Sequence, residues 1–204
     1  MSLRTPQKAF APQPRDKFYT PPHAVERLLE HDCFAVKNEL RRFLVWECAA
    51  GRGDIAKVLV RAGLRVMATD IAPDRGQLHP VLPLDFLAAY EPSGERRLAI
   101  ITNPPFGKQS DAAIHFIEHG LAIMERVPGF MALLLPFEFD ARPRRSPFLA
   151  RHPMWLGKLT IGERIRWVNL PQKKSAPMGH HAWFMWASDF RMRTKLRHPF
   201  MDAV

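Results

Sequence analysis

Cysteine is scarce in this chain of 204 residues, which contains only Cys33 and Cys48. Two cysteines give no disulfide framework, and Cys48 lies in an apolar run where it is expected to be a small core residue. No apolar run approaches the roughly 20 residues that span a bilayer, so no membrane span is expected. The amino-terminal residues also lack the apolar stretch of a secretory signal. These absences predict a protein of the reducing cytoplasm with no membrane partner.

Acidic residues are scarce in the last third of the chain. Residues 141–204 contain 13 Lys and Arg but 3 Asp and Glu, whereas residues 1–140 contain 17 of each kind. The whole net charge of +10 therefore lies in this last third. Such asymmetry is typical of a surface that faces a polyanion, and we interpret it as a nucleic-acid face. The alternative is a solvated basic surface that aids solubility.

The length and composition predict one globular domain. Hydrophobic residues make up 47% of the chain and charged residues 25%, which are the values of a globular protein with a sizeable core. Residues 1–15 carry proline and basic residues without periodicity and are expected to form a flexible arm. We predict that residues 16–190 form the domain and residues 191–204 a basic tail.

Apolar periodicity predicts that strands and helices alternate along the domain, as they do in α/β proteins with a parallel sheet. The last two strands are predicted to form an antiparallel pair. The predicted strands cover residues 43–46, 64–69, 81–84, 98–101, 130–135, 159–168 and 182–186. The predicted helices cover residues 22–30, 34–41 and 55–62, with a fourth starting at Ser110 or Asp111.

A glycine turn follows the first predicted strand and opens a helix. It contains Gly51 and Gly53, and Asp70 ends the next strand, 19 residues after Gly51. Glycines let the backbone approach a ligand, and the helix amino terminus offers free N–H groups. A carboxylate at the strand end accepts two hydrogen bonds from a ribose. The pattern predicts a nucleotide-type site, although Asp70 as a simple turn residue is the alternative.

The sequence Asn103-Pro104-Pro105-Phe106 follows the predicted strand 98–101. Two prolines fix φ twice and remove two backbone donors, so the strand must end there. The pattern places a rigid amide and an aromatic ring at the carboxyl end of a strand, where open α/β sheets bind ligands. A plain double-proline turn with a packing Phe106 is the alternative.

His115 and His119 lie four residues apart on the predicted fourth helix. This spacing suits two metal ligands, but no third ligand of fitting spacing accompanies them. We therefore interpret both as ordinary helix residues and expect no metal.

These motifs resemble those of class I S-adenosylmethionine-dependent methyltransferases, in particular amino-group methyltransferases with an Asn-Pro-Pro-aromatic motif. The resemblance covers roughly residues 16–188 and implies a Rossmann-like, seven-stranded, mostly parallel sheet with a reversed final strand and helices on both faces. Its markers, in the family's order, are Phe18-Tyr19-Thr20-Pro21-Pro22, Glu47-x-Ala49-x-Gly51-x-Gly53, Asp70, Asp85-Phe86 and Asn103-Pro104-Pro105-Phe106.

The resemblance implies that S-adenosyl-L-methionine is the cofactor. Glu47, Ala49 and Gly51 would contact its methionine part, and Tyr19 and Thr20 would close over that end. The implied cofactor residues are Tyr19, Thr20, Glu47, Ala49, Gly51, Gly53, Asp70, Ile71, Asp85 and Phe86.

For the adenosine part, the resemblance assigns one role to each of four residues. Asp70 would bind the ribose hydroxyls and Ile71 would pack on the adenine. Asp85 would accept from the adenine amino group, and Phe86 would lie near the ring.

The resemblance also implies methyl transfer to an exocyclic amino nitrogen, preferably N6 of adenine in DNA. Asn103, Pro104, Pro105 and Phe106 would be the catalytic residues. DNA-modifying relatives usually carry a separate target-recognition region, for which this chain has no room, so it looks like a small phage or prophage enzyme. RNA, a protein glutamine amide and a non-catalytic nucleic-acid-binding module are the alternatives.

Basic residues are expected to hold the phosphates of the nucleic acid beside Phe106. One group follows strand 130–135, and the other lies in the loop before the last strand. Both groups flank the site if the strand before that loop runs parallel to the others. The predicted phosphate contacts are Arg142, Arg144, Arg145, Lys173 and Lys174.

Overall fold

The computed structural model describes residues 18–30, 36–107, 111–162, 164–167 and 180–196. The predicted arm, Cys33, Lys173 and Lys174 lie outside the described residues, as do the last residues of the predicted tail. Within the described ranges, no helix is both long and apolar enough to cross a membrane.

Seven strands form one sheet in the order β3-β2-β1-β4-β5-β7-β6. The pairs from β3 through β5 are parallel, and β7 runs antiparallel to both β5 and β6. The predicted mostly parallel sheet with a reversed final strand is confirmed. The strands are β1 (Leu44–Glu47), β2 (Arg65–Asp70), β3 (Leu82–Pro83), β4 (Leu98–Thr102), β5 (Gly129–Pro136), β6 (Trp155–Thr160) and β7 (His181–Ala187).

Helices cover both faces of the sheet, as its side-chain alternation requires. On β5, Phe130 and Leu134 join a core cluster with α1 and α3, whereas Met131 and Leu135 join a second cluster with α4. A strand buried on both faces must be apolar throughout, which explains the continuous run in β5. The helices are α1 (Pro22–Leu29), α2 (Val36–Leu40), α3 (Asp54–Arg61), α4 (Asp111–Met124) and α5 (Phe190–Leu196).

The predicted strand 159–168 is wrong in its position, because β6 covers Trp155–Thr160. Gly157 has φ +130°, and the pairing of β6 with β7 shifts register between Trp155 and Gly157. This irregularity lets an early glycine lie inside a strand. Gly162, with φ +87°, follows the end of β6.

The predicted basic tail is wrong from its first residues, because Phe190–Leu196 form the helix α5. Met192 is fully buried in the first core cluster, and its backbone N–H donates to Asp189 Oδ1 at 3.0 Å. Arg97 precedes β4, and its Nε donates to the other carboxylate oxygen of Asp189 at 3.1 Å. The domain therefore extends beyond residue 190.

The topology gathers the polar residues of the motifs at one edge of the sheet. β1, β2, β4, β5 and β6 run in the same direction, so their carboxyl ends meet there, and the reversed β7 begins there. Glu47, Asp70, Asn103 and His181 therefore lie at the same edge. Open α/β sheets bind their ligands at this edge.

Candidate functional site

The turn between β1 and α3 needs its two glycines. Gly51 and Gly53 have φ values of +56° and +88°, in the left-handed region that favours glycine. A Cβ on Gly53 would also lie 2.9 Å from the Cβ of His79. The segment after β2 folds onto this turn, because Asp74 N donates to Gly51 O at 3.1 Å and Leu78 N donates to Arg52 O at 2.7 Å. The predicted turn is thus a narrow cradle at the helix amino terminus.

Asp70 joins this turn to the end of β2. Its Oδ2 accepts from Gly51 N at 2.7 Å, and its Oδ1 accepts from Ala72 N at 2.8 Å. Each carboxylate oxygen keeps a further lone pair for a ligand. Ile71, the next residue, is 44% exposed. The two residues predicted to hold ribose and adenine are therefore adjacent and accessible.

Glu47 is buried beneath the turn, with 1% of its surface exposed. Its Oε2 accepts from Ala56 N, in the first turn of α3, at 2.7 Å. Burial raises the pKa of the Glu47 carboxyl well above its ordinary value, and the charges of Asp54 and Asp70 raise it further. The side chain therefore caps α3 from inside and carries a carboxyl that disfavours its charged form.

Glu47→Gln is expected to stabilise the cofactor-free protein at alkaline pH. Folding raises the pKa of the Glu47 carboxyl above its ordinary value of 4.5. The protonated carboxyl therefore stabilises the fold fully when the pH is below 4.5, and this stabilisation is lost as the pH rises through the raised pKa. Glutamine keeps an acceptor for Ala56 N and never ionises. Urea unfolding at pH 5 and pH 8 should show a gain for the variant that is larger at pH 8.

The matched control for this prediction is Glu138→Gln, which changes an exposed glutamate. It should show the same difference from the wild type at both pH values. An equal stability difference for Glu47→Gln at pH 5 and pH 8 would contradict the prediction.

Asp85 and Phe86 differ in how well they fit their implied roles. Asp85 Oδ1 accepts from Leu87 N at 3.0 Å and caps the short 3₁₀ helix Phe86–Ala88. The Phe86 ring is only 2% exposed and packs in the core, with ring centroids 5.1 Å from Trp46 and 4.8 Å from His119. The Phe86 ring therefore has a structural role in the core, and its nearness to an adenine stays a prediction.

The histidines of α4 have structural partners. His119 shares a hydrogen bond of 2.9 Å with the carbonyl of Ala89, and burial lowers the pKa of His119. His115 Nδ1 lies 3.5 Å from Glu118 Oε2. The described residues contain no group of three or more His, Cys, Asp or Glu that could hold a metal ion.

The segment before α1 contacts both the region of the glycine turn and Asn103. The Tyr19 hydroxyl donates to Asp74 Oδ2 at 3.0 Å, and the Arg52 guanidinium lies 4.2 Å from the centre of the Tyr19 ring. Thr20 is buried and accepts from Asn103 Nδ2 at 3.2 Å. Tyr19 and Thr20 thus contact the glycine turn and Asn103, and their closing over the cofactor stays a prediction. Asp74 and Arg52 were not predicted as site residues, although each is a charged residue close in sequence to a predicted motif.

Asn103 holds its amide in a fixed orientation. Its Nδ2 donates to Phe18 O at 3.3 Å and to Thr20 Oγ1 at 3.2 Å. Its Oδ1 is buried and has no hydrogen-bond partner among the described residues. Buried acceptors are almost always paired, so an unpaired one at a ligand-binding edge calls for an explanation. A ligand that donates a hydrogen bond would supply it.

Four ring side chains lie beside Asn103, and each contacts two of the others. We call them the ring cluster, and they are Phe18, Phe106, Trp167 and His181. Phe18 lies 6.4 Å from Phe106 and 5.1 Å from Trp167, measured between ring centroids. His181 lies 6.2 Å from Phe106 and 5.1 Å from Trp167. Of these four residues, only Phe106 was predicted from the sequence to be catalytic. The other three come from distant parts of the chain.

The arginines predicted to contact phosphates differ in their exposure to solvent. Arg142 is exposed, at the carboxyl side of β5. Arg145 is only 5% exposed, and its Nη1 donates to Phe139 O at 2.7 Å while its guanidinium lies 3.9 Å from the Phe139 ring centre. Burial lowers the pKa of Arg145. The prediction of Arg145 as a surface contact is wrong, because this side chain packs inward. The Arg144 side chain lies outside what the structure describes.

Two further arginines lie at the same edge and were not predicted. Arg164 and Arg166 are exposed and alternate with the buried Ile165 and Trp167, which gives an extended segment with one basic face. This segment follows β6, which runs in the same direction as β5, so it leaves the sheet at the same edge. Arg164 Nε also lies 3.4 Å from His180 Nε2.

No protein-family model matches the chain, and no curated protein matches it. Among solved structures, a candidate RNA methyltransferase from Pyrococcus horikoshii is similar, with 18% identity and a TM-score of 0.64 over 85% of this chain and 87% of that chain. A candidate class I S-adenosylmethionine-dependent methyltransferase from Listeria monocytogenes has 13% identity and a TM-score of 0.50 over 82% of this chain and 58% of that chain. A candidate hemolysin from Lactococcus lactis has 13% identity and a TM-score of 0.50 over 82% and 86% of the two chains.

The likeness to these structures concerns the fold. The chain has the Rossmann-like fold of class I methyltransferases. Because one fold hosts many activities, the reaction must be argued from the residues at the edge of the sheet.

Proposed function

We propose that this protein is an S-adenosylmethionine-dependent methyltransferase that acts on N6 of adenine in DNA. The observation that carries the proposal is the buried, unpaired Oδ1 of Asn103. It lies at the end of β4, next to two rigid prolines and the Phe106 ring. An exocyclic amino group is the kind of ligand that donates to such an acceptor.

The residues of the glycine turn fit the proposed cofactor. Gly51 and Gly53 give the turn its left-handed backbone, and Asp70 keeps further lone pairs for the ribose hydroxyls. Ile71 offers an exposed apolar surface for the adenine. When bound, the cofactor would supply a methyl group on a positively charged sulfur. The buried Glu47 carboxyl would lie toward its methionine part.

Asn103 would prepare the amino nitrogen for methylation. The lone pair of an adenine amino group is delocalised into the ring, so the nitrogen is a poor nucleophile. Asn103 Oδ1 and the Pro104 carbonyl would each accept a hydrogen bond from the amino group. These two bonds would favour a pyramidal nitrogen. Because Asn103 Nδ2 is tied to Phe18 and Thr20, this acceptor is already oriented before the substrate binds.

The ring cluster and three exposed arginines would hold the nucleic acid. Phe106 would stack on the target base, with a contribution of about 1–3 kcal/mol. In duplex DNA the base must first leave the helix. The exposed Arg142, Arg164 and Arg166 would contact phosphates around it.

The test is methyl transfer from labelled S-adenosylmethionine to unmethylated DNA, with RNA and a cell protein extract in parallel. We expect label in DNA and N6-methyladenine after its digestion to nucleosides. An excess of S-adenosylhomocysteine should suppress the reaction and serves as the control.

The other outcomes separate the alternatives. Label in RNA or protein with none in DNA would contradict the proposed substrate. Heat-stability measurements then address a non-catalytic binding module, because a ligand stabilises the folded state it binds. A rise in melting temperature with nucleic acid but not with S-adenosylhomocysteine would contradict the proposed enzyme.

A further inference from the structure

The buried tryptophans differ in one respect, which is the partner of the indole N–H. Trp46 Nε1 donates to Thr69 Oγ1 at 2.8 Å, Trp183 Nε1 to Ala24 O at 2.6 Å, and Trp186 Nε1 to Phe148 O at 2.6 Å. Trp167 is also buried, yet its Nε1 has no hydrogen-bond partner in the described part of the chain. A buried indole N–H normally finds a partner, so this donor calls for a ligand.

Trp167 lies in the ring cluster, beside the proposed catalytic residues. It contacts the same two rings as Phe106, because Phe18 and His181 each lie between them. Phe18 is also the residue whose carbonyl accepts from Asn103 Nδ2. One small region therefore contains an unpaired acceptor, Asn103 Oδ1, and an unpaired donor, Trp167 Nε1.

We infer that Trp167 Nε1 donates to the ring nitrogen adjacent to the amino group that is methylated, and so selects the base. This inference rests on the proposed function. Adenine presents an amino donor beside a ring acceptor, at N1 on one side and at N7 on the other. The unpaired acceptor and donor of the protein are complementary to such an edge.

This arrangement would select among the bases. Thymine has no exocyclic amino group and cannot satisfy Asn103 Oδ1. Guanine presents a ring N–H beside its amino group on the pairing edge, so two donors would face each other. Cytosine shares the amino group and acceptor of adenine, so the indole alone does not separate these two bases.

The experiment uses single-stranded DNA of one sequence, made with adenine, 1-deazaadenine or 7-deazaadenine. Each analogue lacks one of the two candidate acceptors. We expect the wild-type protein to methylate one analogue with a kcat/KM about 5- to 150-fold below that of adenine, because a buried donor is then left unpaired. The analogue that loses activity identifies the ring nitrogen that the indole contacts.

Trp167→Phe should remove this discrimination. The variant should methylate adenine with a kcat/KM lowered by a similar factor, and the sensitive analogue should lose nothing further. The substitution breaks no hydrogen bond of the described structure, because the removed donor has no partner there. Loss of a hydrogen bond should therefore make no contribution to any change in its melting temperature.

Trp186→Phe is the matched control, because it removes an indole N–H that is bonded to Phe148 O. It should lower the melting temperature and leave the preference between adenine and the analogues unchanged. An unchanged preference in Trp167→Phe, or equal activity of the wild type on all three DNAs, would overturn the inference. A wild-type protein that leaves the adenine DNA itself unlabelled would overturn the proposed function as well, and that arm involves neither variant nor analogue.

Discussion

Asn103→Ala is expected to lower kcat for methyl transfer by about 10²- to 10³-fold, the usual effect of removing one preorganised catalytic hydrogen-bond partner. The variant loses the unpaired Oδ1 that would accept an amino hydrogen in the transition state. Binding of S-adenosylhomocysteine should change only a few-fold, because the glycine turn and Asp70 remain in place. Single-turnover rates with saturating DNA, together with calorimetric titration of the cofactor product, measure the two effects separately.

The control for Asn103→Ala must separate catalysis from anchoring of the segment before α1. Asn103 Nδ2 also donates to Thr20 Oγ1, so the substitution removes an anchor of that segment as well. Thr20→Val removes the hydroxyl acceptor and keeps the Asn103 amide. We expect this variant to lose less than about 10-fold in rate, as one neutral hydrogen bond would give. A loss as large as that of Asn103→Ala would mean that Asn103 acts by anchoring.

The sheet could be predicted from the sequence because parallel strands carry an unusually plain signal. β4 and β5 are buried on both faces, so their residues form continuous apolar runs. Because these strands run in the same direction, residues that follow them in the sequence could be predicted to lie together. Asp70 and Asn103 lie far apart in sequence, but each follows a strand that ends at the same edge.

The errors come from features that depend on tertiary packing. The predicted strand 159–168 begins too late, because a glycine usually interrupts a strand, whereas Gly157 lies inside β6 at a shift of register. Arg145 has the composition of a surface residue, yet its guanidinium packs on Phe139. The helix α5 depends on the burial of Met192 against the sheet. The basic residues around Met192 led to the prediction of a tail instead of a helix. Composition cannot distinguish an arginine that packs inward from one that faces solvent.

The ring cluster shows the same limit within the site. Phe18, Trp167 and His181 surround Phe106, but they lie between 61 and 88 residues from it along the chain. No motif links them, and Trp167 fits an ordinary core residue as well as a base contact. The unpaired indole N–H distinguishes it, and a hydrogen bond that is missing has no signature in the sequence.

Asp70→Ala is expected to weaken binding of S-adenosylhomocysteine by about 10²- to 10³-fold, as the loss of two charge-assisted hydrogen bonds to a ribose would give. It also removes the acceptor that Gly51 N and Ala72 N share, at 2.7 and 2.8 Å, so the cradle itself should loosen. The measurement is the rise in melting temperature on adding the ligand, taken relative to each variant without ligand.

Asp74→Asn is the matched control for Asp70→Ala. It removes a carboxylate from the same face of the turn, and its amide oxygen can still accept from the Tyr19 hydroxyl. We expect it to weaken binding by less than about 10-fold, because one charge is lost while the geometry is kept. If Asp70→Ala kept the full ligand-induced rise in melting temperature, the nucleotide would lie elsewhere. The proposed reaction at the end of β4 needs the methyl donor beside the turn that follows β1, so that result would also remove its basis.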